Sequence, residues 1–303
     1  MNNGPLLFFG ILATLASSFW GLLLAPQLQI GRQQPVLIEA TGEYYPPARP
    51  GLAQQGAEVY RAQGCVECHS QRVRQTGVSF DVWLAEAGTN HAALAAALTQ
   101  FKIGPGDAAR LVEQAPVKVL SGLNLGEAQR IAGQLTNDEA KAQAVLVALG
   151  PDIERLWGRR GTVTQDYLRD YPVQLGSLRV GPDLANYGAR NTNANLLLLH
   201  LYEPRRTMPG SMMPPYRYLF EKRKLSPDEP KPDNALLVLN RTATSGGEAI
   251  VPGPEAEALA AYLLSLKADV PLPEAPVGTP PAKVLPAAAG STNATSASSS
   301  PAK

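Results

Sequence analysis

The stretch RAQGCVECHSQRVR, residues 61–74, decides the fold, because it holds both cysteines of the 303-residue chain and one of its three histidines. A C-x-x-C pattern is compatible with a redox dithiol, half a zinc site or a disulfide. A zinc site needs four ligands, and the other two histidines, His91 and His200, stand alone in the sequence. A thioredoxin-like dithiol follows a strand, whereas this motif ends a stretch with helical spacing. The remaining interpretation is C-x-x-C-H, the covalent attachment site of a c-type haem.

The chemistry of haem attachment explains the spacing. Cys65 and Cys68 would add to the two haem vinyl groups, and His69 would then lie beneath the iron as the proximal ligand. The alternative is a chance dithiol beside a surface histidine. Because the motif uses both thiols of the chain, the sequence favours one covalent haem c.

The methionines indicate a sixth iron ligand. Three of the four lie in TMPGSMMPPY, residues 207–216, as Met208, Met212 and Met213. Methionine often fills gaps in a core, but three methionines among prolines favour a rigid loop that presents a thioether, and spacing alone does not select one of them. On the proximal side, the Pro182 carbonyl in RVGPDLANYG is free to accept a hydrogen bond from the ring N–H of His69.

The first residues predict a membrane anchor. PLLFFGILATLASSFWGLLLAP, residues 5–26, carries no charge and is long enough to cross a bilayer. A cleaved signal peptide is the alternative, although the segment has no basic start and no clear cleavage site. Haem attachment takes place outside the cytoplasm, so we expect the N-terminus inside and the rest outside. The net charge of +1 gives no electrostatic case for binding nucleic acid.

Two helices are predicted to cross near the motif. GLAQQGAEVYRAQGC, residues 51–65, places Gly56 and Tyr60 on one face, and PEAEALAAYLLSLK, residues 254–267, has an amphipathic stripe that includes Tyr262. Residues 27–50 are predicted to be a polar tether between membrane and domain. Residues 271–303 are rich in Pro, Ala and Ser, and we expect them to be disordered.

Several segments together resemble the mono-haem subunit (subunit II) of cbb(3)-type cytochrome c oxidases. The similarity covers residues 1–75 and 152–270, and its motifs are C-x-x-C-H-S-Q and the M-P-x-Y ending of the methionine loop. The segments that carry it are YRAQGCVECHSQRVR, RRGTVTQDYLRDYPVQLGSLRVGPDLANYGAR, LHLYEPRRTMPGSMMPPYRYL and IVPGPEAEALAAYLLSLK.

This resemblance implies a mainly α fold: an N-terminal transmembrane helix, residues 1–26, and a class I-like cytochrome c domain, residues 51–75 and 152–270. The family's axial methionine falls on Met213. The implied role is a non-catalytic electron relay in a single-pass protein of the bacterial inner membrane, with the haem on the periplasmic side. The implied partners are the haem-copper catalytic subunit and the di-haem cytochrome c subunit, with a soluble cytochrome as a possible donor.

The sequence departs from that family between Arg74 and Asp152. Its pattern predicts strands and helices in the order βααβαβ, a small α+β domain inserted at residues 76–151. Asn90 and Asn124 are the predicted helix caps. FDVWLAEAG and ARLVEQAPVKVLSGLNLGEAQ resemble the C-terminal domain of the bacterial ribosomal stalk protein, which docks protein factors. The insert is therefore either a docking module or a domain tolerated in a surface loop.

Basic residues near the haem segments have two interpretations. Arg72 and Arg74, together with Arg179 or Arg190, would pair with the haem propionates, or they belong to a solvated loop face. His200 could replace methionine as the sixth ligand, although a packed histidine is the simpler interpretation. Two further functions remain open: a free membrane-anchored cytochrome c shuttle, and a haem enzyme or sensor with an open iron site.

Overall fold

A computed structural model describes residues 3–39, 41–137, 139–226, 232–236 and 248–282. Its helices are α1 Gly4–Phe19, α2 Ala25–Gln29, α3 Leu52–Ala62, α4 His91–Thr99, α5 Pro105–Glu113, α6 Leu125–Leu135, α7 Pro151–Glu154, α8 Tyr187–Arg190, α9 Ala194–Tyr202, α10 Pro204–Thr207 and α11 Pro254–Ser265. Its strands are β1 Val36–Ile38, β2 Glu43–Tyr45, β3 Gly77–Glu86, β4 Val117–Leu123, β5 Lys141–Leu149, β6 Phe220–Lys224 and β7 Glu248–Pro252.

The chain divides into two compact units. The first contains the described residues up to Val78 together with Ala148–Val277, and the second contains Ser79–Val147 with residues 278–282. The first unit therefore carries the C-x-x-C-H motif and the methionine loop, and the second carries most of the predicted insert.

The N-terminal segment is a continuous helix in which α1 and α2 are joined by a π-helical turn, Trp20–Leu24. Over Gly4–Gln29 it has 26 residues and a mean hydropathy of 2.0. Among the described residues, this is the one helix long and apolar enough to cross a membrane. It extends three residues beyond the predicted anchor, since Gln27, Leu28 and Gln29 continue the helix.

Helices α3 and α11 cross at a glycine. A Cβ added at Gly56 would lie 1.9 Å from the Ala258 carbonyl oxygen, so only a glycine permits this approach. One turn later, Tyr60 and Tyr262 pack with their ring centroids 5.4 Å apart. Both tyrosines belong to the hydrophobic core of the first unit, which also contains Cys65. The crossing expected from the sequence is present, and it holds the end of α3, where the motif begins.

The second unit has the predicted order of elements, β3-α4-α5-β4-α6-β5, with a three-stranded sheet in the order β4-β3-β5. Asn90 accepts a hydrogen bond from the Ala93 N–H at the start of α4, and Asn124 accepts one from the Glu127 N–H at the start of α6. These are the N-cap contacts expected at helix starts. The order of strands and helices in this unit is therefore the order predicted from the sequence pattern.

Strand β3 departs from strict alternation. Its pairing with β4 shifts register on both sides of Val82, and Asp81 and Val82 are consecutive buried residues. Asp81 is stabilised there by Lys118, whose Nζ lies 3.4 Å from Oδ2, and by the Gly122 N–H. A β-bulge of this kind turns a polar side chain toward the inside.

The predicted tether is partly folded. Strands β1 and β2 pair antiparallel with Val36 opposite Tyr45, and Tyr45 is buried with its hydroxyl donating to Asp166 Oδ1 at 2.6 Å. Residues 27–50, predicted to be a polar tether between membrane and domain, thus contain a strand pair and a buried tyrosine.

The start of the predicted tail is also folded. Leu272 and Ala275 are buried and exchange two backbone hydrogen bonds, of 3.2 and 3.1 Å. These contacts lie at the start of residues 271–303, the segment predicted to be disordered. Residues 283–303 of the predicted tail lie outside the described residues.

Candidate haem site

The C-x-x-C-H motif leaves α3 through a tight turn. Gly64 has a φ of +67°, a conformation that favours glycine, and Cys65–Glu67 forms one 3-10 turn. The His69 N–H donates to the Cys65 carbonyl at 3.0 Å, so the histidine follows the first cysteine by one helical turn. Cys65 is buried and Cys68 is exposed, and the two cysteines do not form a disulfide.

The imidazole of His69 is oriented by the proximal turn. Its Nδ1 lies 2.8 Å from the Pro182 carbonyl oxygen. Because a carbonyl only accepts, Nδ1 carries the hydrogen and Nε2 keeps a lone pair for a metal. Burial lowers the pKa of His69, opposed by the Pro182 carbonyl and by Asp183, which favours the neutral ligand form. This is the hydrogen bond between the His69 ring and the Pro182 carbonyl that the sequence predicted.

Glycines allow the proximal turn to lie against the motif. A Cβ added at Gly181 would be 2.2 Å from His69 Cε1, and the Gly181 N–H donates to the Cys68 carbonyl at 3.0 Å. Gly176 has a φ of +73°, and a Cβ there would be 2.3 Å from the His69 carbonyl oxygen. Any side chain at either position would push the turn away from the imidazole.

A buried carboxylate ties the same turn to the residues that follow His69. Asp183 has no exposed surface. Its Oδ2 accepts from Ser70 Oγ at 2.6 Å and from the Arg72 N–H at 2.7 Å, and its Oδ1 accepts from the Ala185 N–H. The turn and the motif are therefore held by backbone and side-chain bonds together.

The methionine loop reaches the motif through its last residues. Burial raises the pKa of the Cys65 thiol to about 11, and hydrogen bonding with Tyr216 opposes the rise. Met213 is partly buried and packs on the core that contains Cys65. Met208 and Met212 are 61% and 75% exposed. Of the three methionines, Met213 is the one packed on this core.

The arginines predicted near the propionates have different partners. Arg74 and Arg179 both contact Asp152, and Arg190 donates to backbone carbonyls of its own loop. The Arg72 side chain is exposed. Three of the four thus have protein acceptors, and the assignment of Arg72 and Arg74 to the propionates stays a prediction.

His200 lies in α9 and is engaged within its own segment. Its Nδ1 lies 2.5 Å from Thr207 Oγ1. Burial lowers the pKa of His200, and so does the nearby His69. His200 is thus packed within its own segment, which is the simpler of the two interpretations predicted for it.

The chain's residues fit a c-type haem. Nε2 of His69 is available, a thioether packs beside the motif, and the segment around Gly176 and Gly181 presents Leu175, Leu178 and Val180 with 41%, 56% and 52% of their surface exposed. Contiguous exposed apolar side chains favour contact with a ligand or partner. Within the part of the chain that the structure describes, no three His, Cys, Asp or Glu side chains come together as a metal site.

Comparison with known proteins gives one family. Residues 144–243 match the family described as "Cytochrome C oxidase, mono-heme subunit/FixO". The resemblance to the mono-haem subunit is confirmed. The matched range contains Pro182 and Met213 and does not include Cys65, Cys68 or His69. No curated protein matches the chain.

Three contributors to the candidate site could not be identified from the sequence. Asp152 and Asp183 are buried acids, and Tyr216 contacts the Cys65 sulfur. The available signal for Asp183 was its position directly after Pro182. No signal in the sequence indicated that Asp152, 78 residues from Arg74, would contact it.

Proposed function

We propose that this chain is a membrane-anchored mono-haem cytochrome c that relays electrons within a cbb(3)-type cytochrome c oxidase. The observation that supports it most is the His69 imidazole held by the Pro182 carbonyl at 2.8 Å, directly after two cysteines at haem-attachment spacing. The match of residues 144–243 to the mono-haem subunit family supports the same role. The helix Gly4–Gln29 would anchor the protein in the bacterial inner membrane, with the haem domain on the periplasmic side.

In this proposal, one haem c supplies a one-electron carrier when bound. Cys65 and Cys68 would hold it through thioether links, and His69 and Met213 would be its iron ligands. The Pro182 carbonyl orients the imidazole through Nδ1, and the core that contains Tyr60 and Leu201 would pack beside the group. Iron held by two protein ligands would not bind a substrate. The subunit is therefore non-catalytic.

The proposed route accepts one electron from the di-haem subunit or a soluble cytochrome and passes it to the haem-copper subunit, where oxygen is reduced. The cytochrome c domain is assigned to residues 51–75 and 152–270. A free membrane-anchored shuttle would share this site and differ only in its partners. Purification in mild detergent separates the two, since an oxidase subunit co-purifies with a haem-copper subunit and a shuttle does not.

Mass spectrometry of the purified polypeptide tests haem attachment. We expect the mass of the chain plus one haem, and the mass of the bare chain with two free thiols would refute the proposal. Optical spectra then test the ligand. Met213→Ala is expected to remove the weak thioether-to-iron band near 695 nm that is expected of the cytochrome c class, and the exposed Met212 gives the matched control Met212→Ala. Loss of the band only in the control would refute Met213.

For the insert, residues 76–151, we propose a domain tolerated in a surface loop. Its ends support this, because the Thr76 N–H donates to the Leu149 carbonyl at 2.8 Å. Replacing residues 77–148 by a short Gly-Ser linker is expected to leave haem attachment and assembly with the oxidase intact. Loss of the oxidase partners with the haem retained would favour the docking module suggested by the resemblance to the ribosomal stalk domain.

A further inference from the structure

Asp152 is a fully buried acid that the proposed function does not use. Its side chain has no exposed surface, and it follows the insert directly, in α7. Oδ2 accepts from the Arg74 N–H at 2.7 Å and from Arg179 Nη1 at 2.5 Å, with Arg74 Nε at 3.4 Å. A buried carboxylate with several charge-assisted hydrogen bonds is held in one position.

Arg179 extends this contact toward the axial histidine. Its second nitrogen, Nη2, donates to the Arg72 carbonyl and lies 3.7 Å from Asp183 Oδ2. Its guanidinium carbon is 6.0 Å from the centre of the Trp157 ring, so the group is fixed on a third side. Arg179 stands three residues before Pro182, whose carbonyl holds His69. Asp152 therefore secures the start of the proximal turn through Arg179.

We propose that Asp152 is a positioning residue for His69, acting through Arg179 on the Pro182 carbonyl and so on the reduction potential of the site. This inference rests on the proposed function. Replacing the carboxylate by an amide removes a negative charge near the site, which favours the reduced state. It also loosens the turn, and a weaker hydrogen bond to Nδ1 makes the imidazole a poorer donor to oxidised iron. Both effects raise the potential.

The experiment is a redox titration of the haem-loaded, full-length protein. The variants are Asp152→Asn, Arg179→Lys and the double variant. Arg179→Lys keeps the charge but replaces the planar fork by a single ammonium, which cannot serve Asp152 and the Arg72 carbonyl in the same way. We expect each single variant to raise the midpoint potential, and the double variant to shift it by less than the sum.

Asp81→Asn is the matched control. Asp81 is also buried, with a Lys118 ion pair and one backbone N–H donor, but it belongs to the second unit. We expect its potential to equal that of the wild type. An equal shift in this control, or an unchanged potential in haem-loaded Asp152→Asn, would overturn the proposal.

Two further outcomes are distinguishable. If Asp152→Asn yields no haem-loaded protein, Arg179→Lys decides alone, and an unchanged potential there overturns the inference. If the wild type itself carries no covalent haem, the proposed function fails and the inference fails with it. A wild type with covalent haem and an unmoved potential in both variants refutes only the positioning role.

Discussion

Substituting alanine for Gly56 is expected to weaken the crossing of α3 and α11, although alanine is the better helix former. The new Cβ would lie 1.9 Å from the Ala258 carbonyl oxygen and 2.7 Å from Tyr262 Cβ. Real Cβ contacts under 3.0 Å essentially never occur, so the helices must separate by about 1 Å or more. The neighbour at 1.9 Å is a backbone atom of α11, which cannot move aside as a flexible side chain can.

The magnitude follows from two opposing effects. Alanine gains about 0.5–1 kcal/mol over glycine inside a helix. Overpacking a close contact costs about 1–3 kcal/mol, and an overlap with backbone belongs at the upper end. We expect a net loss of about 2 kcal/mol, which corresponds to roughly a 30-fold change in an opening equilibrium.

Hydrogen exchange followed by mass spectrometry is the appropriate assay, because a chain of two units does not unfold as one two-state system. Peptides from α3 and α11 of Gly56→Ala should exchange about 30-fold faster in the amides that open with the crossing. Gly133→Ala in α6 is the matched control, since a Cβ there meets nothing within 4 Å. It should slow exchange in α6. Unchanged or slower exchange in α3 of Gly56→Ala would refute the close-approach argument.

Three further predictions concern other parts of the chain. Lys102 has a φ of +64° and is exposed, so Lys102→Gly should relieve backbone strain and stabilise the second unit by about 0.5–1 kcal/mol, measured as slower exchange in α4 and α5. A Cβ at Gly278 would lie 2.0 Å from the Leu146 carbonyl oxygen, so Gly278→Ala should raise exchange in β5, and an unchanged rate would contradict this. Burial opposes ionisation of Asp152, but hydrogen bonds from Arg179 and a second arginine hold its pKa below the ordinary value. A depressed pKa stabilises the fold above the unfolded value of about 3.9 and loses this contribution as the pH falls, so the stability difference between wild type and Asp152→Asn should shrink below about pH 4 in acid titrations.

Local patterns predicted the second unit because its elements are specified by neighbouring residues. Val82 and Leu84, two residues apart in β3, are both buried, and the predicted caps Asn90 and Asn124 accept hydrogen bonds at helix starts. The same reasoning could not predict the burial of Asp81, since the bulge depends on how β3 pairs with β4. Period-2 patterns specify a face only while the register is constant.

In the candidate site, residues at a fixed spacing in the sequence could be predicted, whereas the choice among residues far from the motif in the sequence could not. The C-x-x-C-H spacing and the free carbonyl of Pro182 follow from what a haem ligand requires. The methionine could not be chosen from spacing, because Met212 and Met213 are adjacent. In the structure, Met213 packs on the core that contains Cys65, whereas Met212 is 75% exposed.

The arginines show why a charge near a motif is ambiguous in sequence. The pattern predicted carboxylate partners for Arg74 and Arg179, and the structure gives them one, but it is the protein's own Asp152. A guanidinium pairs with any carboxylate that the fold brings within reach, and Asp152, 78 residues from Arg74, is such a carboxylate. The sequence indicated a carboxylate as the partner of these arginines but did not indicate which molecule or residue carries it.

The contact of Arg74 with Asp152 gives a physical reason why an insertion between them would be tolerated. The cost of closing a loop grows only slowly with its length, so the cost of a long insertion depends mainly on whether its ends must move apart. Here the Arg74 N–H reaches Asp152 at 2.7 Å, and a Cβ at Gly150 would be 2.9 Å from the Arg74 carbonyl oxygen. The first unit thus closes across residues 79–147 with its own bonds. The same carboxylate also contacts Arg179, so Asp152 contributes both to closing the insertion point and to positioning His69. A change at Asp152 should therefore shift the reduction potential of the bound haem, whereas removal of the insert should not.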